Sequence, residues 1–186
     1  MLSSRSVTPI SRSFPNSPDK MLKASYTPYT LHFKVPSGTS RGILTEKETY
    51  FVKVWDDAAP DRYGLGECAL FRGLGADDRP EYESVLQRVC REMDCYESLD
   101  LSAWSSIRFG VETALLDWQN GGRRVVYPSD FVTGGRGITI NGLIWMGDKR
   151  TMAARIEEKL AAGFSCIKLK IGAIDFDDEC DLLAFI

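Results

Sequence analysis

The sequence predicts a small α+β domain followed by a βαβα run of a parallel α/β unit. Three observations carry that prediction. Three strand-like segments come first, and two amphipathic helical stretches follow them. Beyond the glycine-rich loop at residues 134–137 the order changes to strand, helix, strand, helix. Strands followed by helices describe an α+β unit, and strict alternation describes a parallel sheet with crossover helices. Two strands cannot close an eight-stranded barrel, so if this unit starts a barrel it is expected to be the first quarter of one within these 186 residues.

Residues 1–20 are rich in Ser and Pro and have no helical or strand period, so they are expected to be a disordered leader. Met21 opens the ordered pattern. Residues 26–35 read as a strand, residues 36–42 as a loop, and residues 49–55, rich in β-branched and aromatic side chains, as a second strand. A turn at residues 56–61 leads to a third strand over residues 63–69, carrying Gly64 and Gly66. Together these form an antiparallel meander. Residues 71–80 read as a loop.

Pro80 suits the first turn of a helix whose apolar stripe is Tyr82, Val85, Leu86, Val89, Cys90 and Met93. Ser102 is the expected N-cap of the next helix, with Trp104, Ile107, Val111, Ala114, Leu115 and Trp118 on one face; Trp104, Phe109 and Trp118 are expected in the core. Gly121 and Gly122 stop that helix. Residues 138–144 form the next strand, and Asp148 caps a helix bearing Met152, Ile156 and Leu160, closed by Gly163. Residues 165–171 are the second barrel strand, and Asp175 opens the last helix. The expected division is therefore a leader at 1–20, an α+β domain at 21–135 and the start of a barrel at 136–186.

Composition narrows the function classes. With 44% hydrophobic and 26% charged residues the chain has the make-up of a globular protein able to bury a core. A formal net charge of −3 gives no electrostatic footprint for nucleic acid or an anionic membrane, so neither is an expected partner. No apolar run approaches the ~20 residues of a membrane helix. The five cysteines show no CxxC spacing and there is one histidine, His32, which reads as a packed or surface residue. Free thiols in a reducing cytoplasm are expected. The glycine-rich stretches match neither a P-loop nor a dinucleotide fingerprint.

The segment Cys166-Ile167-Lys168-Leu169-Lys170-Ile171-Gly172 carries the most chemistry. Alternation along a strand puts Ile167, Leu169 and Ile171 on one face and Lys168 and Lys170 on the other. In a barrel the apolar set packs beneath helices, while both lysines point inward near the C-terminal end of the strand, where barrel enzymes place catalytic groups. At a Cα spacing of ~6.6 Å, two ammonium groups repel by ~2.5 kcal/mol at an effective dielectric of ~20. That repulsion favours a neutral amine on one of them, which is the form a general base needs. An edge strand with two solvated lysines has the same spelling, and spacing alone leaves both readings open.

The order of an α+β domain, then a barrel whose second strand carries Lys-x-Lys, resembles the enolase superfamily, in its muconate-lactonizing-enzyme-like subgroup. Ile140-Asn141-Gly142-Leu143-Ile144-Trp145, followed by Phe164 to Gly172 around the two lysines, is similar to o-succinylbenzoate synthases of menaquinone biosynthesis. The resemblance runs from about Met21 to the end. It implies a capping domain and a TIM-like barrel, with Lys170 as the catalytic base and Lys168 tuning it. The substrate implied is a small-molecule carboxylate, and the reaction a dehydration. Arg41 and Ser40 fall in the capping loop that closes over substrate, although Arg41 also reads as a solvated loop residue. Gly64-Leu65-Gly66-Glu67 ends the strand leading into a second capping loop; the glycines also read as simple turn formers, and Glu67 is not expected to be catalytic.

The resemblance also implies Mg2+, held by three carboxylates at the ends of the third, fourth and fifth barrel strands. No metal ligand is therefore expected in this chain. The acidic run Asp175, Asp177, Asp178, Glu179, Asp181 lacks the central glycine of an EF-hand loop and suits a helix start. Dipeptide epimerases and N-acylamino acid racemases share the framework, and a truncated, non-catalytic fragment is the third alternative.

Overall fold

The computed structural model describes residues 21–39, 42–172 and 174–186. The expected leader at 1–20 lies outside the described residues. The meander is present as β1 (Leu22–Thr39), β2 (Gly42–Asp56) and β3 (Ala59–Cys68), an antiparallel sheet in the order β1-β2-β3. β1 and β2 are longer than their apolar alternation suggested. Their ladder runs from Leu22↔Asp56 to His32↔Glu46 and resumes from Ser37↔Leu44 to Thr39↔Gly42, across an irregularity that contains Pro36. The segment expected as a loop at 36–42 is thus largely the outer part of a hairpin arm, on which Tyr29, Val35 and Ile43 are exposed. Backbone pairing extends the strands where no buried face demands it.

The period-2 pattern of β2 buries Tyr50, Val52 and Val54 on one face. Against that face lie α1 (Tyr82–Arg91), which buries Tyr82, Leu86 and Val89, and α2 (Ser105–Gln119), which buries Ile107, Val111, Ala114, Leu115 and Trp118. A 3-10 turn at Met93–Ser98 links the two helices. Two expectations fail here. Ser102 does not cap α2: its N–H donates to Asp100 Oδ1 at 3.0 Å, and the helix starts three residues later. Its first turn is instead served from the loop between β3 and α1 by buried Asp77, whose Oδ2 accepts Ser106 N–H at 2.8 Å and Ser106 Oγ at 2.7 Å. Phe109 lies off the buried stripe and is 66% exposed, so it is not a core residue.

α2 sits unusually close to β3. A Cβ on Gly66 would lie 1.8 Å from the Gly110 carbonyl oxygen, and one on Gly64 would lie 1.9 Å from that of Ala114. From the other side, a Cβ on Gly110 would meet Cys68 Sγ at 2.5 Å. The glycines of the Gly64-Leu65-Gly66 segment are not turn formers; they let a helix backbone rest on a strand backbone.

The second half has its own core. β4 (Gly142–Ile144) and β5 (Ile167–Leu169) pair in parallel, Gly142 with Ile167, Leu143 with Lys168 and Ile144 with Leu169. Helices α3 (Lys149–Ala161) and α4 (Phe176–Phe185) cover one face, where Ile144, Met152, Ile156 and Leu182 are buried. Both strands are shorter than expected, since each has a single neighbour and keeps only its paired residues; Ile138, Ile140 and Ile171 are exposed. Leu160, expected on the α3 stripe, is also largely exposed. The caps are as the sequence predicts: Asp148 Oδ1 accepts Thr151 N–H at 2.7 Å, Asp175 Oδ1 accepts Asp177 N–H at 3.0 Å, and Gly163 follows α3 at φ +84°. Among the described residues no helix is long and apolar enough to cross a membrane.

Candidate active site

The lysine pair lies where the two parallel strands end. Lys168 is central in β5, exposed, and paired in register with Leu143. Lys170 follows β5 directly and is half-buried; its N–H donates to Ile144 O at 3.1 Å, which carries the ladder one step past the strand. Ile167 and Leu169 pack against the helix-covered cluster, so the alternation expected from the sequence holds for 167–170. The Lys170 ammonium lies 3.8 Å from the centroid of the Trp145 ring. The sequence pattern paired this amine with Lys168 alone, and the indole is an additional neighbour.

Trp145 is the residue after β4, and its backbone is fixed from α3. Arg155 Nη1 donates to Trp145 O at 3.1 Å and to Met146 O at 3.3 Å. A cavity of about 260 Å³ beside it brings Val35 and Pro36 of the hairpin arm against Leu143, Trp145 and Met146. The arm leads on to Ser40 and Arg41, which both lie outside the described residues.

Other candidates have visible structural tasks. His32 Nδ1 pairs with Glu46 Oε1 at 3.1 Å on the exposed arm. Glu67 Oε1 accepts Lys47 Nζ at 3.0 Å and Thr49 Oγ1 at 2.8 Å. Burial pushes the Glu67 carboxyl up, but these hydrogen bonds and the Lys47 charge outweigh it and hold the group below the usual carboxylate range. Arg72, in the loop after β3, ties Glu48 at 2.7 Å to Asp78 at 3.0 Å. In the acidic run, Asp175 caps α4, Asp178 and Asp181 hold Lys149 Nζ at 2.8 and 2.6 Å, and buried Glu179 accepts the Gly172 N–H. All five cysteines are free; burial pushes the Cys90 thiol up to about 11 and the Cys68 thiol further, so neither is a thiolate nucleophile at neutral pH.

Sequence reasoning missed Asp117, whose side chain is 1% exposed. Its Oδ2 accepts Leu65 N–H at 2.9 Å and Arg124 Nη1 at 2.5 Å, and its Oδ1 accepts Arg124 N–H at 2.6 Å. One carboxylate thus ties α2 to β3 and to the chain leaving the α+β unit, where Arg124 takes φ +64°. The available signal was a carboxylate inside the apolar stripe between Leu115 and Trp118, just ahead of Gly121-Gly122. Asp117→Asn puts an amide donor against an N–H or the guanidinium. The expected loss is about 3 kcal/mol, the lower end for breaking a buried pair because Arg124 is partly solvated. A urea midpoint shift at unchanged slope would measure it; a shift under ~1 kcal/mol would show the carboxylate to be dispensable.

No family model matches the chain. An o-succinylbenzoate synthase from Desulfotalea psychrophila is 39% identical over 199 aligned positions, covering 89% of this chain and 53% of that protein. The crystal structure of MenC from the same organism superposes with a TM-score of 0.63 at 34% identity, covering 88% of this chain and 52% of that one. The o-succinylbenzoate synthase from Thermosynechococcus elongatus, solved with magnesium in its active site, gives a TM-score of 0.66 at 20% identity over 87% of this chain and 46% of its own. The chain shares the fold of the enolase-superfamily proteins among these structures. It spans about half the length of the relatives it matches. Its three-stranded sheet with α1 and α2 corresponds to the capping domain of that superfamily, and β4–α3–β5–α4 to part of the barrel. Dipeptide epimerases share this fold at 20% identity or less, which speaks to fold alone.

Proposed function

We propose that the protein containing this chain is an o-succinylbenzoate synthase, a dehydratase of a succinylated hydroxycyclohexadiene carboxylate. The observation that carries this is the 39% identity to a synthase, in a chain that places Lys170 at the C-terminal end of a parallel strand. Lys170 is the base that takes the proton α to the carboxylate, and Lys168 is its charged neighbour. The protonated Lys170 then donates to the departing hydroxyl, so that water leaves and the ring becomes aromatic. Ser40 and Arg41, which join Thr39 of β1 to Gly42 of β2 in the sequence, bind substrate. The proposed division is a capping domain at 21–135 and barrel from 136, and free thiols support a cytoplasmic setting.

The described residues do not fit magnesium: among them no group of three or more His, Cys, Asp or Glu side chains converges on a point, and the acidic run is engaged with Lys149 and helix ends. A magnesium ion of the kind bound by the Thermosynechococcus synthase would need ligands from outside these 186 residues. A dehydration assay on the full-length protein, run beside a dipeptide epimerisation assay in D2O, tests the proposal. Dehydration with little epimerisation is expected; the reverse would make the protein an epimerase.

A further inference from the structure

We propose that Trp145 is a positioning residue for the Lys170 amine, its indole face being the surface on which the ammonium is held; this rests on Lys170 being the base. Backbone pairing sets the two residues side by side. Ile144 pairs with Leu169, and the Lys170 N–H donates to Ile144 O at 3.1 Å, so the next pair in register is Trp145 with Lys170, on the face away from the helices. The ammonium lies 3.8 Å from the ring centroid, inside the range where an aromatic quadrupole attracts a cation, and tryptophan has the strongest such face.

Packing does not explain Trp145. It is 37% exposed and is absent from the cluster of Ile144, Met152, Ile156 and Leu182. Its peptide is nevertheless braced by the two hydrogen bonds from Arg155. The attraction acts on the ammonium and hardly on the neutral amine. It therefore strengthens as Lys170 takes the substrate proton, and an interaction that grows towards the transition state raises kcat more than it lowers KM.

The test uses the full-length protein with Trp145→Leu and Trp145→Phe. Trp145→Leu is expected to lower kcat about tenfold (~1.4 kcal/mol) with KM within about twofold, and Trp145→Phe to recover most of the loss because a π face remains. A second readout needs no turnover. After reductive methylation with 13C-formaldehyde, the Lys170 methyl resonance, assigned by its absence in Lys170→Arg, should be shifted upfield by the ring current. The shift should vanish in Trp145→Leu and persist in Trp145→Phe. Full kcat in Trp145→Leu, equal losses in both variants, or an unshifted resonance in the parent protein would each overturn the inference. If Trp145→Leu does not fold, Trp145→Phe and Trp145→Tyr carry the test, and loss of the shift in both overturns it. Lys170→Ala separates the two layers: an active Lys170→Ala removes the base assignment itself, whereas an inactive one beside a fully active Trp145→Leu removes only the role of Trp145.

Discussion

Lys170→Ala in the full-length protein is expected to lower turnover by ~10³-fold or more while leaving the fold intact. A positioned general base typically contributes about 10²–10⁴-fold, and alanine offers no group to take the proton. The fold should survive because the Lys170 side chain belongs to neither buried cluster; its structural contact is a backbone N–H to Ile144, which alanine keeps. Lys168→Ala should cost less, since Lys168 lies on the same face but is exposed and two register positions before Lys170. The measurement is kcat on the dehydration substrate, with circular dichroism to confirm folding. Retained activity within about tenfold of wild type, ~1.4 kcal/mol, would take Lys170 out of the mechanism.

Much of this arrangement was legible in the sequence because it is written locally. The meander, the stripe Ile107-Val111-Ala114-Leu115-Trp118, the caps at Asp148 and Asp175 and the glycine stops follow from periods and cap chemistry within a few residues. The Lys-x-Lys alternation belongs to the same class. Features that failed depend on partners distant in sequence. Ser102 looked like a cap because its rival, Asp77, lies 29 residues from the N–H it serves. The arm of β1 and β2 looked like a loop because ladder bonds, unlike a buried face, leave no hydropathy signature. Trp145 could not be assigned to Lys170 without the parallel register that sets them side by side. Asp117 was visible only as a polar residue in an apolar stripe, and its partners Leu65 and Arg124 come from opposite directions along the chain.

Where two backbones touch, the stability effect should be largest: Gly66→Ala is expected to cost ~4 kcal/mol or more. The added Cβ would lie 1.8 Å from the Gly110 carbonyl oxygen, 2.8 Å from its carbon and 2.9 Å from Ala114 N. These are backbone atoms of α2, so no side chain can swing away to make room. Overpacking a core typically costs about 1–3 kcal/mol when side chains adjust; here the whole helix has to lift. Lifting α2 withdraws Ile107, Val111 and Ala114 from Val52, Val54 and Cys68, and stretches the Leu65–Asp117 hydrogen bond. A loss of that size is a large fraction of the ~5–15 kcal/mol that holds a domain together. Gly73→Ala separates crowding from backbone strain. Gly73 has φ +71°, and a Cβ there would meet nothing within 4 Å, so alanine incurs only the left-handed penalty of ~1–2 kcal/mol. Chemical denaturation of both variants measures the difference. A Gly66→Ala protein within ~1 kcal/mol of wild type would show that α2 has room to spare above β3, and that the two backbones are not in contact.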